Sequence, residues 1–267
     1  MSAAGPATAW TVERAAGELL AAEDARTDRP PLTDEWPQLD LDTAYQVQDE
    51  TLRRRLGRGE TLVGVKLGLT SRAKQTRMNV TSPLVAWLTD AMVLPAGDPV
   101  PQEALIHPRV EPEIVFVMKD RLAGPGVTAA QALAAIDRVF AGAEVIDSRY
   151  RDFRFTLPDV VADNASSGAF VLGSVGLRPE QLDLALEAVL VEVDGAIVDS
   201  ATGAAVQGNP AEALALAAND LARRGLAIEA GQVVLTGGLT DAVFAPRGAR
   251  IAFHFTHLGS IHLSGGA

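Results

Sequence analysis

Apolar side chains recur at helical spacing over the first 60 residues. Val12, Ala15, Ala16, Leu19 and Leu20 form one stripe, with Thr11 placed to cap it and Glu13 in its first turn, so the spacing predicts a helix. A polar, proline-rich stretch from Asp24 to Pro37 interrupts the pattern. A second helix is expected from about Asp42 to Leu56, stopped at Gly57, with Ala44, Val47, Thr51 and Leu52 facing inward.

From Thr61 the period shortens and β-branched runs take over. Strands are expected at Leu62–Leu69, Val110–Met118, Ala143–Ile146, Ala169–Leu172, Leu186–Val193, Gln232–Leu235, Arg250–Phe255 and Ser260–Leu263. Asp194-Gly195 between apolar runs is a hairpin signal. Two helices interrupt these strands. One starts at Thr128, where Thr-Ala-Ala-Gln forms a capping box, and is expected to carry Leu133, Ile136 and Phe140 inward. The other starts at Asn209-Pro210 and ends near Gly225. Hairpin-rich strands with occasional helices predict an α+β fold rather than a doubly wound sheet. The expected division is a helical region over residues 1–60, too small for an assured core of its own, and a β-rich unit over residues 61–267.

Composition narrows the function. The chain has 267 residues, 48% of them apolar, enough for a substantial core. Its formal net charge of −11 argues against nucleic acid or an anionic membrane surface as a partner, since both select Lys and Arg patches. With no cysteine, disulfides, thiolate zinc sites, iron–sulfur clusters and a Cys nucleophile are excluded. The opening residues lack a basic segment followed by an apolar one, and no run approaches a membrane span, so a cytoplasmic protein is expected. There is no Gly-x-Ser-x-Gly, no phosphate-binding glycine loop, and no triad spacing among His107, His254, His257 and His262.

Candidate chemistry concentrates in His107-Pro-Arg-Val-Glu111-Pro-Glu113-Ile-Val-Phe-Val-Met118. On a strand, Glu111 and Glu113 are at i and i+2 and point to one face, which Val115 and Val117 continue as apolar. Two carboxylates so close repel each other unless a cation lies between them, and oxygen donors suit a hard ion such as Mg²⁺ or Mn²⁺. Taken alone, Glu-x-Glu is a weak motif that reads more readily as two solvated glutamates on an edge strand. Glu144 adds a third carboxylate within the small and apolar run Ala-Gly-Ala-Glu144-Val-Ile, where an unpaired charge is costly. Asp147 reads either as a further member of the site or as a cap. Lys66, in Gly64-Val-Lys66-Leu-Gly68, is an ammonium amid glycine-flanked β structure, either a site residue or a surface lysine. Asp163-Asn164-Ala-Ser166-Ser167-Gly168 reads as a turn or as outer hydrogen bonds to metal-bound water.

The ordered set VGVKLGLTSRAK, SPLVAWLTDAMV, IHPRVEPEIVFV, AGAEVIDSRYRDF, VVADNASSGAFVLG and VVLTGGLT resembles the 2-keto-4-pentenoate hydratase / 4-oxalocrotonate decarboxylase group of the fumarylacetoacetate hydrolase superfamily, over roughly residues 40–262. The resemblance implies that Glu111, Glu113 and Glu144 bind Mg²⁺ or Mn²⁺, that Lys66 is the active-site lysine, and that Asp90 and Ser166 contribute to the pocket. It implies a mixed β-roll or barrel-like domain with an N-terminal helical region. It further implies a homo-oligomer, with a pathway hydratase or decarboxylase as a further partner, acting on a small dianionic 2-oxo acid. Leu88-Thr-Asp90-Ala-Met92 and the segment Asp147 to Phe155 resemble the decarboxylase branch, whereas hydratases more often carry Trp where Phe153 stands. Pro112, where alanine is expected, and Gly168, where a bulkier residue is expected, depart from the pattern, and Pro112 suggests an edge strand.

The leading expectation is therefore decarboxylation of 2-oxohex-3-enedioate to 2-hydroxypenta-2,4-dienoate. Hydration of that dienol to 4-hydroxy-2-oxopentanoate is the alternative. A metal-free Schiff-base enzyme using Lys66 and a non-catalytic 2-oxo-acid-binding subunit are the rivals. Arg149 and Arg151 are candidates to offset substrate charge or to pair with acids, and Arg72 reads as a surface residue.

Overall fold

The structure is a computed structural model that describes residues 9–72, 75–76 and 81–266; Ala73 and Lys74 of the first motif lie outside the described residues. Helix α1 (Val12–Ala25) begins at Thr11, whose hydroxyl accepts from the Arg14 N–H, and buries Ala15, Ala16, Leu19 and Leu20 as expected. After the short α2 (Leu32–Glu35), helix α3 (Leu41–Gly57) starts at Asp40, whose carboxylate caps the Thr43 N–H. Helix α1 packs on α3, and together they bury their apolar faces against Leu84, Tyr150, Val160 and Val161. The N-terminal helices thus share their core with residues far along the chain. Each leucine buried there contributes about 1.5–3 kcal/mol.

One mixed sheet carries the site. Its strands are β1 (Leu62–Gly68), β2 (Leu84–Thr89), β3 (Arg109–Met118), β4 (Ile136–Ile146), β5 (Ser167–Leu172) and, defined below with the second sheet, β8 (Val233–Gly238) and β9 (Val243–Phe244). The order is β2-β1-β8-β3-β4-β5, with β9 beside β3 beyond the end of β8. Only the β1–β8 pair is parallel. The sheet curls until its ends approach: Val93, just past β2, bridges to Phe170 of β5, and the Leu94 N–H donates to the Phe170 carbonyl at 2.8 Å. Inside the curl Leu88, Met92, Val115, Phe170 and Leu235 form an apolar plug.

The outer face carries the main core. There, α6 (Pro210–Arg223) and a four-stranded sheet of β6 (Ala188–Val193), β7 (Ala196–Thr202), β10 (Arg250–Phe255) and β11 (Ser260–Ser264) pack onto residues such as Ile114, Phe116 and Val145. Asp194 and Gly195 make the expected hairpin between β6 and β7. Two further helices are short, α4 (Ala129–Ala134) and α5 (Leu157–Ala162).

Three local expectations are corrected. The helix starting at Thr128 has its capping box but ends at Ala134; Ile136 and Phe140 lie in β4, and Leu133 is exposed. Apolar residues three and four apart mimic a helical stripe, but here the long pairing with β3 captures the chain as a strand. Pro112 is not on an edge strand, because β3 is flanked by β4 on one side and by β8 and β9 on the other. The proline is tolerated since it falls between the end of β8 at Gly238 and the start of β9 at Val243, where no ladder partner needs its N–H. Strand β2, fully buried and therefore without alternation, was not among the expected strands.

Candidate metal centre and active-site cleft

Strand register brings the three glutamates together. Glu111 of β3 lies directly opposite Glu144 of β4, so both side chains leave the sheet on the same face, and Glu113 follows two residues along. One carboxylate oxygen from each lies within 4.8 Å of the others. Glu113 and Glu144 are 0% and 1% exposed, and Glu111 is half-buried. This is the inner face of the curl, continued below by Val115 of the apolar plug.

Glu113 and Glu144 are short of partners. The Gly237 N–H donates to Glu113 Oε2 at 2.7 Å, while Glu113 Oε1 and both Glu144 oxygens, all buried, have no hydrogen-bond partner. Burial, and then the neighbouring Glu144 and Glu111 charges, push the Glu113 pKa well above the carboxylate range; Lys66 and the Gly237 N–H pull the other way. Lys66, 3% exposed, reaches in from β1, where it pairs with Ala86 of β2 and Leu235 of β8. Its Nζ is 2.5 Å from Glu144 Oε1, close as an ion pair but not aligned as a hydrogen bond, and it donates to the Ala165 carbonyl at 2.8 Å. One lysine cannot neutralise the two buried carboxylates of Glu113 and Glu144.

Two glycines let neighbouring side chains approach the backbone closely here. Gly237 has φ +111°, and a side chain there would strike Thr70; a Cβ on Gly238 would strike Glu111 Oε2. Orphaned buried oxygens and an all-oxygen donor set fit a hard divalent ion such as Mg²⁺ or Mn²⁺.

A turn of unusual backbone supports Lys66. Asn164, Ala165 and Ser166 all have positive φ, 49°, 50° and 58°, a conformation costing non-glycine residues about 1–3 kcal/mol each. Surrounding groups hold it. The Asn164 amide accepts from the Trp87 N–H and donates to the Trp87 carbonyl, both at 2.9 Å, covering the free edge of β2. The Asp147 N–H donates to the Ser166 carbonyl, and the Ser167 hydroxyl donates to the Asn164 carbonyl. Beneath, the Arg149 guanidinium binds the Asp163 carboxylate and the carbonyls of Asp163 and Ser167. The result aims the Ala165 carbonyl at Lys66.

These contacts sort the remaining expected residues. Ser166 is buried and lines the cleft, with its hydroxyl 3.5 Å from Asp163 Oδ2. Asn164 has both ends of its amide committed to Trp87, which favours the turn reading over hydrogen bonds to metal-bound water. Asp147 caps the loop before β3, accepting from the Ile106 and His107 N–H groups. Arg149 is enclosed, and Arg151 pairs with Asp28 at the surface. Asp90 is not brought to the cluster. Its carboxylate accepts from the Thr61 N–H and hydroxyl where β1 begins, and the ladder from Leu62–Thr89 to Lys66–Ala86 puts it roughly 13 Å away along the strand.

A cleft of about 360 Å³ opens over the cluster, within the range of small-molecule sites, and its walls include Lys66, Arg109, Glu111, Phe153, Phe155 and Ser166. Arg109 was not foreseen, although the alternation that pairs Glu111 with Glu113 puts Arg109 on the same face. Its guanidinium lies over the rings of Phe153 and Phe244, at 4.2 and 4.3 Å. Gly237 and Gly238 were likewise passed over, though a Gly-Gly pair ending a β run signals close approach of backbone to a ligand.

Known proteins extend this picture. The chain is 44% identical over 234 residues to a 4-oxalocrotonate decarboxylase of Pseudomonas sp. (strain CF600), covering 88% of this chain and 89% of that one. It is 43% identical over 211 residues to a 2-hydroxypent-2,4-dienoate hydratase of Pseudomonas putida, covering 79% and 95%. A solved 4-oxalocrotonate decarboxylase from Pseudomonas putida G7, complexed with magnesium and adipate, superposes with a TM-score of 0.93 at 41% identity, covering 95% of this chain and 96% of that one. The fumarylacetoacetate (FAA) hydrolase C-terminal model matches residues 61–263, and with these relatives it shows that the chain belongs to the fumarylacetoacetate hydrolase family.

Proposed function

We propose that the protein is a divalent-metal-dependent lyase that decarboxylates 2-oxohex-3-enedioate to 2-hydroxypenta-2,4-dienoate. The observation that carries this reading is the convergence of Glu111, Glu113 and Glu144, with buried oxygens left unsatisfied, under a cleft into which Lys66 projects. Mg²⁺ or Mn²⁺ held by the three glutamates would supply Lewis-acid polarisation at the 2-oxo end of the substrate.

The chain's own residues do the rest. Glu144 and the Ala165 carbonyl fix the Lys66 ammonium, so its remaining N–H can meet the C2 oxygen. As the bond to the distal carboxyl breaks, its electron pair passes through the C3–C4 double bond to that oxygen. Lys66 stabilises the negative charge appearing there, and protonation of the oxygen gives the dienol and CO₂. Ser166 lines the wall beside this oxygen. The apolar plug below, from Leu88 to Leu235, keeps water from reaching the cluster from inside the curl. On this reading residues 61–267 carry the chemistry, and the helices of residues 1–60 brace the turn at Asn164–Ser166 from outside. A cytoplasmic homo-oligomer, with a pathway hydratase as partner, suits a reaction whose dienol product another enzyme consumes.

Hydration of 2-hydroxypenta-2,4-dienoate is the second reading, supported by a hydratase relative whose identity differs by one percentage point from that of the decarboxylase. Product analysis separates them. The protein is incubated with Mg²⁺ and each substrate in turn, and CO₂ release and dienol loss are followed separately. CO₂ from the diacid supports decarboxylation, and loss of the dienol alone supports hydration. Activity that survives EDTA, with borohydride trapping substrate on Lys66, would replace both with Schiff-base chemistry. Metal and oxalate binding without any turnover would leave a binding subunit.

A further inference from the structure

Among the described residues Arg109 is a charged group whose only recorded contacts are with aromatic rings. Its Nε is buried without a hydrogen-bond partner, and no ion pair to its guanidinium is found among the described residues. Stacking between Phe153 and Phe244 fixes the guanidinium plane and dries its faces, leaving its edge as the polar surface presented to the cleft. The position is also set by register, because Arg109 pairs with Ile146 on β4 and with Phe244 on β9 and faces the same way as Glu111 and Glu113. It stands roughly 7 Å beyond Glu111 along β3, on the side away from Glu113. Lys66, the other cation lining the cleft, is already held by Glu144 and Ala165.

We infer that Arg109 is a specificity-determining residue that receives the distal carboxylate of a dianionic 2-oxo acid, and so selects diacids over monoacids. The inference rests on the 2-oxo-acid reading above and adds the residue at the far end of the substrate. It has a kinetic corollary. In decarboxylation the distal charge leaves as neutral CO₂, so a cation there strengthens ground-state binding more than the transition state. Arg109 therefore lowers KM for the diacid and does not raise kcat.

The test uses two ligands that differ only in the distal carboxylate, 2-oxohexanedioate and 2-oxohexanoate. Each is titrated calorimetrically into the Mg²⁺-loaded protein, as wild type, Arg109→Met and Arg109→Lys. Met keeps an unbranched apolar stem between the two rings. The expected result is a roughly 10- to 100-fold loss of 2-oxohexanedioate affinity in Arg109→Met, partial recovery in Arg109→Lys, and 2-oxohexanoate and Mg²⁺ affinities within about twofold of wild type. With turnover substrate, KM rises and kcat holds or increases. Equal weakening of both ligands, or no weakening of either, overturns the inference while leaving the 2-oxo-acid reading standing. Wild-type protein that binds neither ligand overturns both.

Discussion

Two buried acidic sites lie on either side of the Asn164–Ser166 turn, and they are built on opposite terms. Asp163 is enclosed, and its carboxylate is met by the Arg149 guanidinium, the Arg149 N–H and the Ser148 hydroxyl. Burial pushes its pKa up to about 6 against the pull of Arg149, whose own charge is opposed by burial and held by Asp163. Glu113 is as deeply buried, but its nearest charged neighbours include Glu144 and Glu111, and one of its oxygens has no partner. A buried carboxylate that finds all its partners in its own chain is part of the scaffold. One denied them is waiting for a ligand, because the fold would otherwise carry several kcal/mol of uncompensated desolvation.

The sharpest way to break this contrast is Glu113→Gln or Glu144→Gln. Either should reduce turnover by more than the roughly 10- to 100-fold that residues behind metal ligands cost, with Mg²⁺ affinity lost in parallel by calorimetry. Full activity in either variant would remove the metal centre. Stability should respond in the opposite sense at the two sites. Asp163→Asn strands the buried Arg149 charge and should cost about 3–5 kcal/mol in denaturant unfolding. Glu113→Gln relieves repulsion and should raise the melting temperature of metal-stripped protein.

pH sharpens the comparison further. Glu113 has a folded pKa raised above its ordinary 4.5, so above that pH the folded, metal-free protein binds more protons than the unfolded chain. Its stability should fall as pH rises from 4.5 through the raised value. Asp163 adds a slope of the same sign between 3.8 and about 6. Saturating Mg²⁺ should remove the Glu113 part and leave the Asp163 part, which melting curves with and without the ion will separate. The smallest effect is expected at Asp90. Asp90→Asn loosens its hold on Thr61 and should lower the melting temperature slightly, with Mg²⁺ affinity unchanged. A large loss of activity there would return Asp90 to the site.

How far the molecule was legible depended on the range of the forces involved. Helices α1, α3 and α6 were readable because caps at Thr11 and Asn209 and apolar stripes act within a few residues. The segment from Thr128 misled because Ile136 and Phe140 keep helical spacing, while pairing with β3 decides their state. Arg109 could have been found by carrying the alternation two residues further back. The Ala165 carbonyl could not, since a main-chain group in a left-handed turn leaves no mark on residue type.

By itself the sequence determined the class of fold, the three carboxylates and the lysine that had to be explained, and the absence of thiolate chemistry. Those are properties of residue type and local spacing. Only the tertiary structure decided that Glu111 lies opposite Glu144, that Arg149 serves Asp163, and that Asp90 stands apart. Each of these depends on strand register and burial between segments distant in the chain, where a shift of one residue would turn every side chain to the other face.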